Sequence, residues 1–319
     1  MPEQGEIRNV VVFSDTHVGC KLALCHPDGA ELDDGGIYMP SKSQLKIWSM
    51  WEEFWGEWVP RVTRGQPFTV VHNGDVVDGV HHNSTTQWSH NLGDQVNHAY
   101  KILKPVVEAC EGRYYHIRGT EAHVGKSASE EERLARLLNA IPNEEGQFAR
   151  YELRLRLGGR LCHFLHHIGT TSSSAHEASA INAELAAMYA DAGRFGREPP
   201  MVVCRSHRHR CGEIRLPAHG GYATSMVTAC WQLKTPYAWK IAGARVSTPQ
   251  IGGSLIRHGD EELYTRHQVW EIGISQEESA NGRSNHDGGV VGRVREGGVS
   301  GRLPESADGG AVERRDWAE

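Results

Sequence analysis

Apolar positions along the chain fall into short, dense runs, and each run empties into a polar loop. Asn9-Val10-Val11-Val12-Phe13 is the kind of β-branched stretch that is buried on both faces of a sheet, and it ends in Ser14-Asp15-Thr16-His17. Phe68-Thr69-Val70-Val71-His72 repeats the plan and runs into Asn73-Gly74-Asp75, while Tyr114-Tyr115-His116-Ile117 runs into Arg118-Gly119-Thr120-Glu121. The segments Tyr151 to Leu157 and Arg160 to His166 alternate in character around Gly158-Gly159, which predicts a hairpin. Met201-Val202-Val203-Cys204 leads into Arg205-Ser206-His207-Arg208-His209, and more strands are expected through Val269-Trp270-Glu271-Ile272. In open α/β sheets ligands bind beyond the carboxyl ends of the strands, so these successive loops predict one shared site.

Helical periodicity fills the gaps. Trp48, Trp51, Trp55 and Trp58, with Ile47, Phe54 and Val59, predict an amphipathic helix that ends at Pro60 and lays its indoles on the sheet. Ser129 with Glu132, ahead of Leu134, Leu137, Leu138 and Ile141, reads as a capping box. So does Ser174 with Glu177, ahead of Ile181, Leu185 and Met188. Residues Lys21 to Ser43, with Pro, Gly and the acidic Glu31, Asp33 and Asp34, predict a long loop of the functional-lid kind. After about Ser275 the chain turns to Gly, Ser, Glu and Arg with few large apolar residues, so one domain over 1–275 and a flexible tail over 276–319 are expected.

Composition narrows the function. In 319 residues, 39% hydrophobic and 23% charged, no apolar run is long enough to span a bilayer. The first residues do not read as a signal peptide, so a cytoplasmic location is expected. The seven cysteines form no CxxC pair and are odd in number, which argues against a disulfide framework or a thiolate zinc site. A net charge of −6 gives no global pull toward nucleic acid, although a local basic patch could still hold phosphates. Histidine, at 19 residues, is the unusual count, and it matters because the histidines gather in the strand-end loops.

In chain order those loops supply Asp15-Thr16-His17, Gly74-Asp75-Val76-Val77-Asp78, Gly119-Thr120-Glu121-Ala122-His123, His166-His167 and His207-Arg208-His209. Together they resemble the calcineurin-like metallophosphoesterase family, with its DxH, GDxxD, GNH[DE], lone His and GHxH motifs. The whole character is closest to phage or prophage members. The resemblance implies a four-layer α/β/β/α sandwich of two mixed β-sheets, with residues 1–275 as the catalytic domain. It also implies two divalent metal ions: Mn, Fe, Zn, Ni or Co, with Mn favoured. Asp15, His17 and His209 would hold the first ion, Asp75 would bridge, and His207 and His166 would hold the second, with His167 the alternative to His166. Mixed imidazole and carboxylate donors suit such ions, and a paired site activates water and stabilises phosphoryl oxygens.

The third motif departs from the family, whose Asn is a ligand and whose next residue, His, assists the leaving group. Here Glu121 is expected to replace the missing oxygen ligand, and His123, two positions along, to serve as general acid. Ser206 stands where Gly is usual in the fifth motif. Asp78 is a candidate to orient a histidine. His81, His82 and His90 read as solvent-facing loop residues. Arg208, with Arg205, Arg210 and Arg215 around the HxH segment, is a candidate for phosphate contact. Asn73 and Asn83 are read as turn residues or phosphate contacts. The function expected is a metal-dependent phosphoesterase, favoured as a phosphodiesterase or nuclease. A phosphomonoesterase or nucleotide pyrophosphatase, and a non-catalytic metal-binding scaffold, are the alternatives. The partner implied is a phosphate-ester substrate, with nucleic acid among the candidates. No membrane is implied, and the sequence does not set the oligomeric state.

Overall fold

The computed structural model describes residues 6–81, 84–125, 127–169, 174–241 and 247–272. The predicted tail over 276–319, with His82 and Asn83, lies outside these residues. In chain order the elements are β1 (Asn9–Phe13), β2 (Ala30–Glu31), β3 (Ile37–Tyr38), α1 (Lys42–Glu53), α2 (Val59–Thr63), β4 (Thr69–Asn73), α3 (Leu92–Ala109) and β5 (Tyr114–Ile117). There follow α4 (Glu121–Val124), α5 (Ser129–Leu137), β6 (Ala149–Arg150), β7 (Glu152–Leu157), β8 (Arg160–Leu165), α6 (Glu177–Arg194) and β9 (Val202–Arg205). The last are β10 (Gly212–Ala218), β11 (Gly221–Val227), α7 (Pro236–Lys240), β12 (Gln250–His258) and β13 (Leu263–Glu271).

A six-stranded sheet runs β13-β12-β1-β4-β5-β6 and a five-stranded sheet runs β10-β11-β9-β8-β7. Both are mixed. In the first, β1, β4, β5 and β6 are parallel while β12 and β13 join antiparallel; in the second, β8, β9 and β11 are parallel while β7 and β10 are antiparallel.

The period-2 alternation of the strands dictates how the layers stack. Val10 and Val12 of β1, with Val71 and Ile117, pack against Phe164, Cys162, Val202 and Cys204 of the second sheet. The intervening Val11 and Phe13, with Val70 and Tyr114, face the other way onto α1, α3 and α5. Across the molecule Val203, Ala223 and Val227 turn outward onto Ile181 and Leu185 of α6. The result is the α/β/β/α sandwich that the family resemblance implied, and its most apolar strands are those buried on both faces.

Some local expectations change. Ser41, not a residue nearer the tryptophans, starts α1, through a complete capping box with Gln44. The helix does not stop at Pro60. A π-helical turn over Phe54–Trp58 precedes α2, which carries Pro60 in its first turn and ends at Arg64 in the left-handed region. The missing proline N–H is tolerated in a first turn, and the wider π register absorbs the ring. Trp51 and Trp58 are buried in the helix-side core, as a packing role requires. Neither later capping box forms: Ala128 and His176 occupy the N-cap positions without a side-chain bond. Glu132 instead accepts from the backbone N–H groups of Phe148 and Ala149. The loop from Lys21 to Ser43 is an ordered β2–β3 ribbon, tied to the start of α3 by Asn91 donating to Asp33 at 2.7 Å. Among the described residues no helix is long and apolar enough to cross a membrane.

Candidate metal centre

The carboxyl ends of β1, β4 and β5 and those of β8 and β9 meet along one edge of the sandwich. The chain must bend sharply there to return side chains to a common point. Asp15, His17, Asp75, His207 and His209 all adopt positive φ, between 42° and 74°, and they are five of the nine non-glycine residues that do so among those described. Each such residue costs of order 1 kcal/mol, so the fold concentrates its backbone strain at this edge. Two glycines permit the approach. A Cβ on Gly74 would lie 2.4 Å from the His166 ring, and one on Gly119 would lie 2.1 Å from Asp75 Oδ1.

Two sets of donors result. His17 Nε2 lies 3.1 Å from His209 Nε2, and His209 Nε2 lies 3.3 Å from Asp15 Oδ1. His166 Nε2 lies 3.0 Å from Asp75 Oδ2, and His207 Nδ1 lies 3.9 Å from the same oxygen. Asp75 also groups with His17 and His123, so it stands between the two sets. The donors fit a cation on a direct observation: Asp15 Oδ1 and His166 Nε2 are buried without a hydrogen-bond partner, although each faces other donors of its set. Histidine and carboxylate in this mixture suit first-row divalent ions.

His166, buried just past the end of β8, directs Nδ1 onto the carbonyl of Asn73 at 2.7 Å, which turns Nε2 toward Asp75. His167 is exposed and stacks on His207, with ring centroids 5.1 Å apart. Asp78 is buried behind His17, its Oδ1 3.5 Å from His17 Nδ1. Gln87 and Gln232 donate to the two oxygens of Asp78 at 2.6 and 3.2 Å, which fixes its orientation.

The third motif departs from the expectation. Glu121 is exposed at the start of α4 and joins none of the donor groups. Residues three apart on a helical turn share a face, and Thr120 and His123 both meet Asp75, while Glu121 borders the cavity outside the donor groups. Thr120 donates to Asp75 Oδ1 from its N–H at 2.7 Å and from its hydroxyl at 3.2 Å. His123 sits 4.4 Å from His17, centroid to centroid, with Nδ1 on the Asp78 carbonyl at 2.7 Å. Burial pushes His123 down to about 4, so at neutral pH its ring is uncharged and better suited to accept a proton than to donate one.

Electrostatics divide the remaining groups. Burial alone would lower His17, but the carboxylates of Asp15, Asp78 and Asp75 raise it to about 10. Burial is likewise overcome at His166, raised to about 9 by Asp75 and Asp15. Burial would raise Asp15 and Asp75, yet the surrounding imidazoles hold both well below the usual carboxylate range. His209 is lowered, mainly by burial. The carboxylates are therefore ionised, and in the metal-free protein two of the imidazoles carry the compensating protons.

Above the donors lies a cavity of about 680 Å³ that His81, His123, His207, His209 and Arg208 help to line. His81 is thus not a solvent-facing loop residue: it is partly buried, 3.7 Å from Asp78 and 4.3 Å from the His123 ring. His90 is exposed, as expected. Arg205 and Arg215 are paired with Glu184 and Glu262, while Arg208, bonded to the Gly169 carbonyl, and Arg210, paired with Glu177, both border the cavity. Asn73 bonds Ser206 and the Leu165 carbonyl, a structural tie between the sheets. No residue of the 21–43 segment borders the cavity. Sequence reasoning missed Glu131, a fully buried carboxylate that accepts from Val76 and Gly119 N–H at 3.2 and 2.6 Å and so joins the second and third motif loops.

No protein-family model matches the chain, nor does the sequence of any curated protein. Among solved structures, Vps29 of Chaetomium thermophilum is similar at 11% identity over 88% of this chain and 94% of that one, with a TM-score of 0.37. Zinc-complexed Vps29 of Entamoeba histolytica is similar at 12% identity over 82% of this chain and 92% of that one, with a TM-score of 0.35. The sulfate thiohydrolase SoxB of Thermus thermophilus is similar at 10% identity over 84% of this chain and 57% of that one, also with a TM-score of 0.35. These are distant likenesses. The layers and the strand-end donors themselves define an α/β/β/α sandwich of two mixed sheets with residue clusters compatible with metal.

Proposed function

We propose that this chain is a dinuclear metal-dependent phosphoesterase acting on phosphodiesters, nucleic acid among them, with its catalytic unit in residues 1–275. The observation that carries the reading is the placement of Asp75 between two donor sets, one of Asp15, His17 and His209 and one of His166 and His207. Two divalent ions held there, Mn by preference, would supply an activated nucleophile at neutral pH and draw charge from the phosphoryl oxygens.

The protein's own groups do the rest. Asp78 holds His17 in one orientation, and Asn73 does the same for His166 through its carbonyl. His123, anchored through Nδ1, turns its other nitrogen to the cavity, where it can take up or return a proton beside the reacting phosphate. Arg208 supplies a guanidinium for the non-bridging oxygens.

Initial rates on bis-nitrophenyl phosphate, nitrophenyl phosphate and labelled single-stranded DNA test the reading. Turnover of the diester and of DNA supports it. Turnover of the monoester alone moves the assignment to a phosphomonoesterase, a reading that the net charge of −6 favours. Two bound equivalents of metal without turnover of any substrate would leave a scaffold.

A further inference from the structure

The cavity has a second wall, unlike the first. Besides the histidines the cavity is lined by Leu233, Lys234 and Thr235, then Tyr237 of α7, and Ile241 just beyond it. Tyr237 is 40% exposed and Ile241 38%, so an aromatic ring and an aliphatic side chain reach solvent in the cavity that the metal donors also line. The turn that carries them is held in place. Thr235 caps α7 by accepting from the N–H of Ala238 at 3.3 Å, and Lys234 Nζ sits 3.6 Å over the Trp239 ring. At about 680 Å³ the cavity has far more room than a phosphate group needs, and it falls within the range of small-molecule sites, about 300–1,000 Å³.

We infer that this wall is a base-stacking subsite, and that the substrate is a phosphoester carrying a nucleobase next to the scissile phosphate. The inference rests on the phosphoesterase reading and gives it a substrate class. An acyl chain would require an unbroken apolar wall. Here the polar Lys234 and Thr235 stand together between the apolar Leu233 and Tyr237, a mixture that matches a flat ring with polar edges. Arg208 and Lys234 add cations to the same lining, where phosphates flanking a stacked base would run.

The test compares thymidine 5′-(4-nitrophenyl phosphate) with the 5-(4-nitrophenyl phosphate) of 1,2-dideoxyribose, which share a leaving group and a sugar and differ in the base. The full-length metal-loaded protein should prefer the thymidine ester by about tenfold or more in kcat/KM, the range that stacking on one aromatic ring provides. In Tyr237→Ala the ratio of the two should collapse toward one, and Tyr237→Phe should restore it. A calorimetric arm reads binding without turnover: thymidine 5′-phosphate should bind the wild-type protein about tenfold more tightly than ribose 5-phosphate, and Tyr237→Ala should lose the difference. An unchanged preference in Tyr237→Ala, or none in the wild type, overturns the subsite. If neither ester is hydrolysed, the phosphoesterase reading falls, and the binding arm still decides the subsite.

Discussion

Metal loading should expel protons, and the structure says how many. In the metal-free protein His17 is raised to about 10 and His166 to about 9, because Asp15, Asp75 and Asp78 outweigh the effect of burial. Both are therefore protonated at pH 7, whereas His209 and His123 are lowered and already neutral. A nitrogen that accepts an ion must first lose its proton. At pH 7 that loss opposes binding by roughly 4 kcal/mol at His17 and roughly 3 kcal/mol at His166, taking about 1.4 kcal/mol per pH unit. The folded pKa of each lies above the ordinary imidazole value. The penalty therefore shrinks as pH rises and vanishes above about 9 to 10. Titration of Mn²⁺ by calorimetry, in two buffers of equal pH and different ionisation enthalpy, reads the effect directly. We expect about one proton released per ion at pH 7, and an affinity that rises about tenfold per pH unit from pH 7 to about 9 before levelling. A heat of binding independent of the buffer, or an affinity flat across that range, would refute the reasoning.

Two further outcomes follow from the third motif and its support. Glu121→Gln should leave metal content unchanged, measured by elemental analysis after dialysis, because the exposed carboxylate joins none of the donor groups; loss of an equivalent would return Glu121 to the ligand set. Glu131→Ala removes the acceptor for two N–H groups and should lower the unfolding free energy by about 2–4 kcal/mol, read from urea midpoints, with Glu131→Gln milder; a change under about 0.5 kcal/mol would show that the loops do not depend on it.

The strand-end motifs were legible because β1, β4, β5 and β9 are largely buried on both faces and therefore appear as short runs rich in apolar residues, so the residues after each run could be placed at one edge from order alone. The four layers needed the structure, since alternation within β1 shows two faces but not what covers them. The neighbours His166 and His167 could be separated only by the bond from His166 to Asn73, a partner 93 residues away. The expected place of Glu121 among the ligands could not be weighed from the motif string alone, because only α4 folds it into a turn that brings Thr120 and His123 to Asp75. Glu131 was hidden in a run of three glutamates, Glu130-Glu131-Glu132, whose members differ only in what the rest of the chain brings to them.

The central claim is that Asp75 is shared by two metal ions. Metal content of the purified protein after saturation with Mn²⁺ and removal of free ion, wild type against Asp75→Asn, tests it most directly. The account predicts two equivalents per chain in the wild type and at most one in the variant. One equivalent or none in the wild type, or two in both, would contradict it.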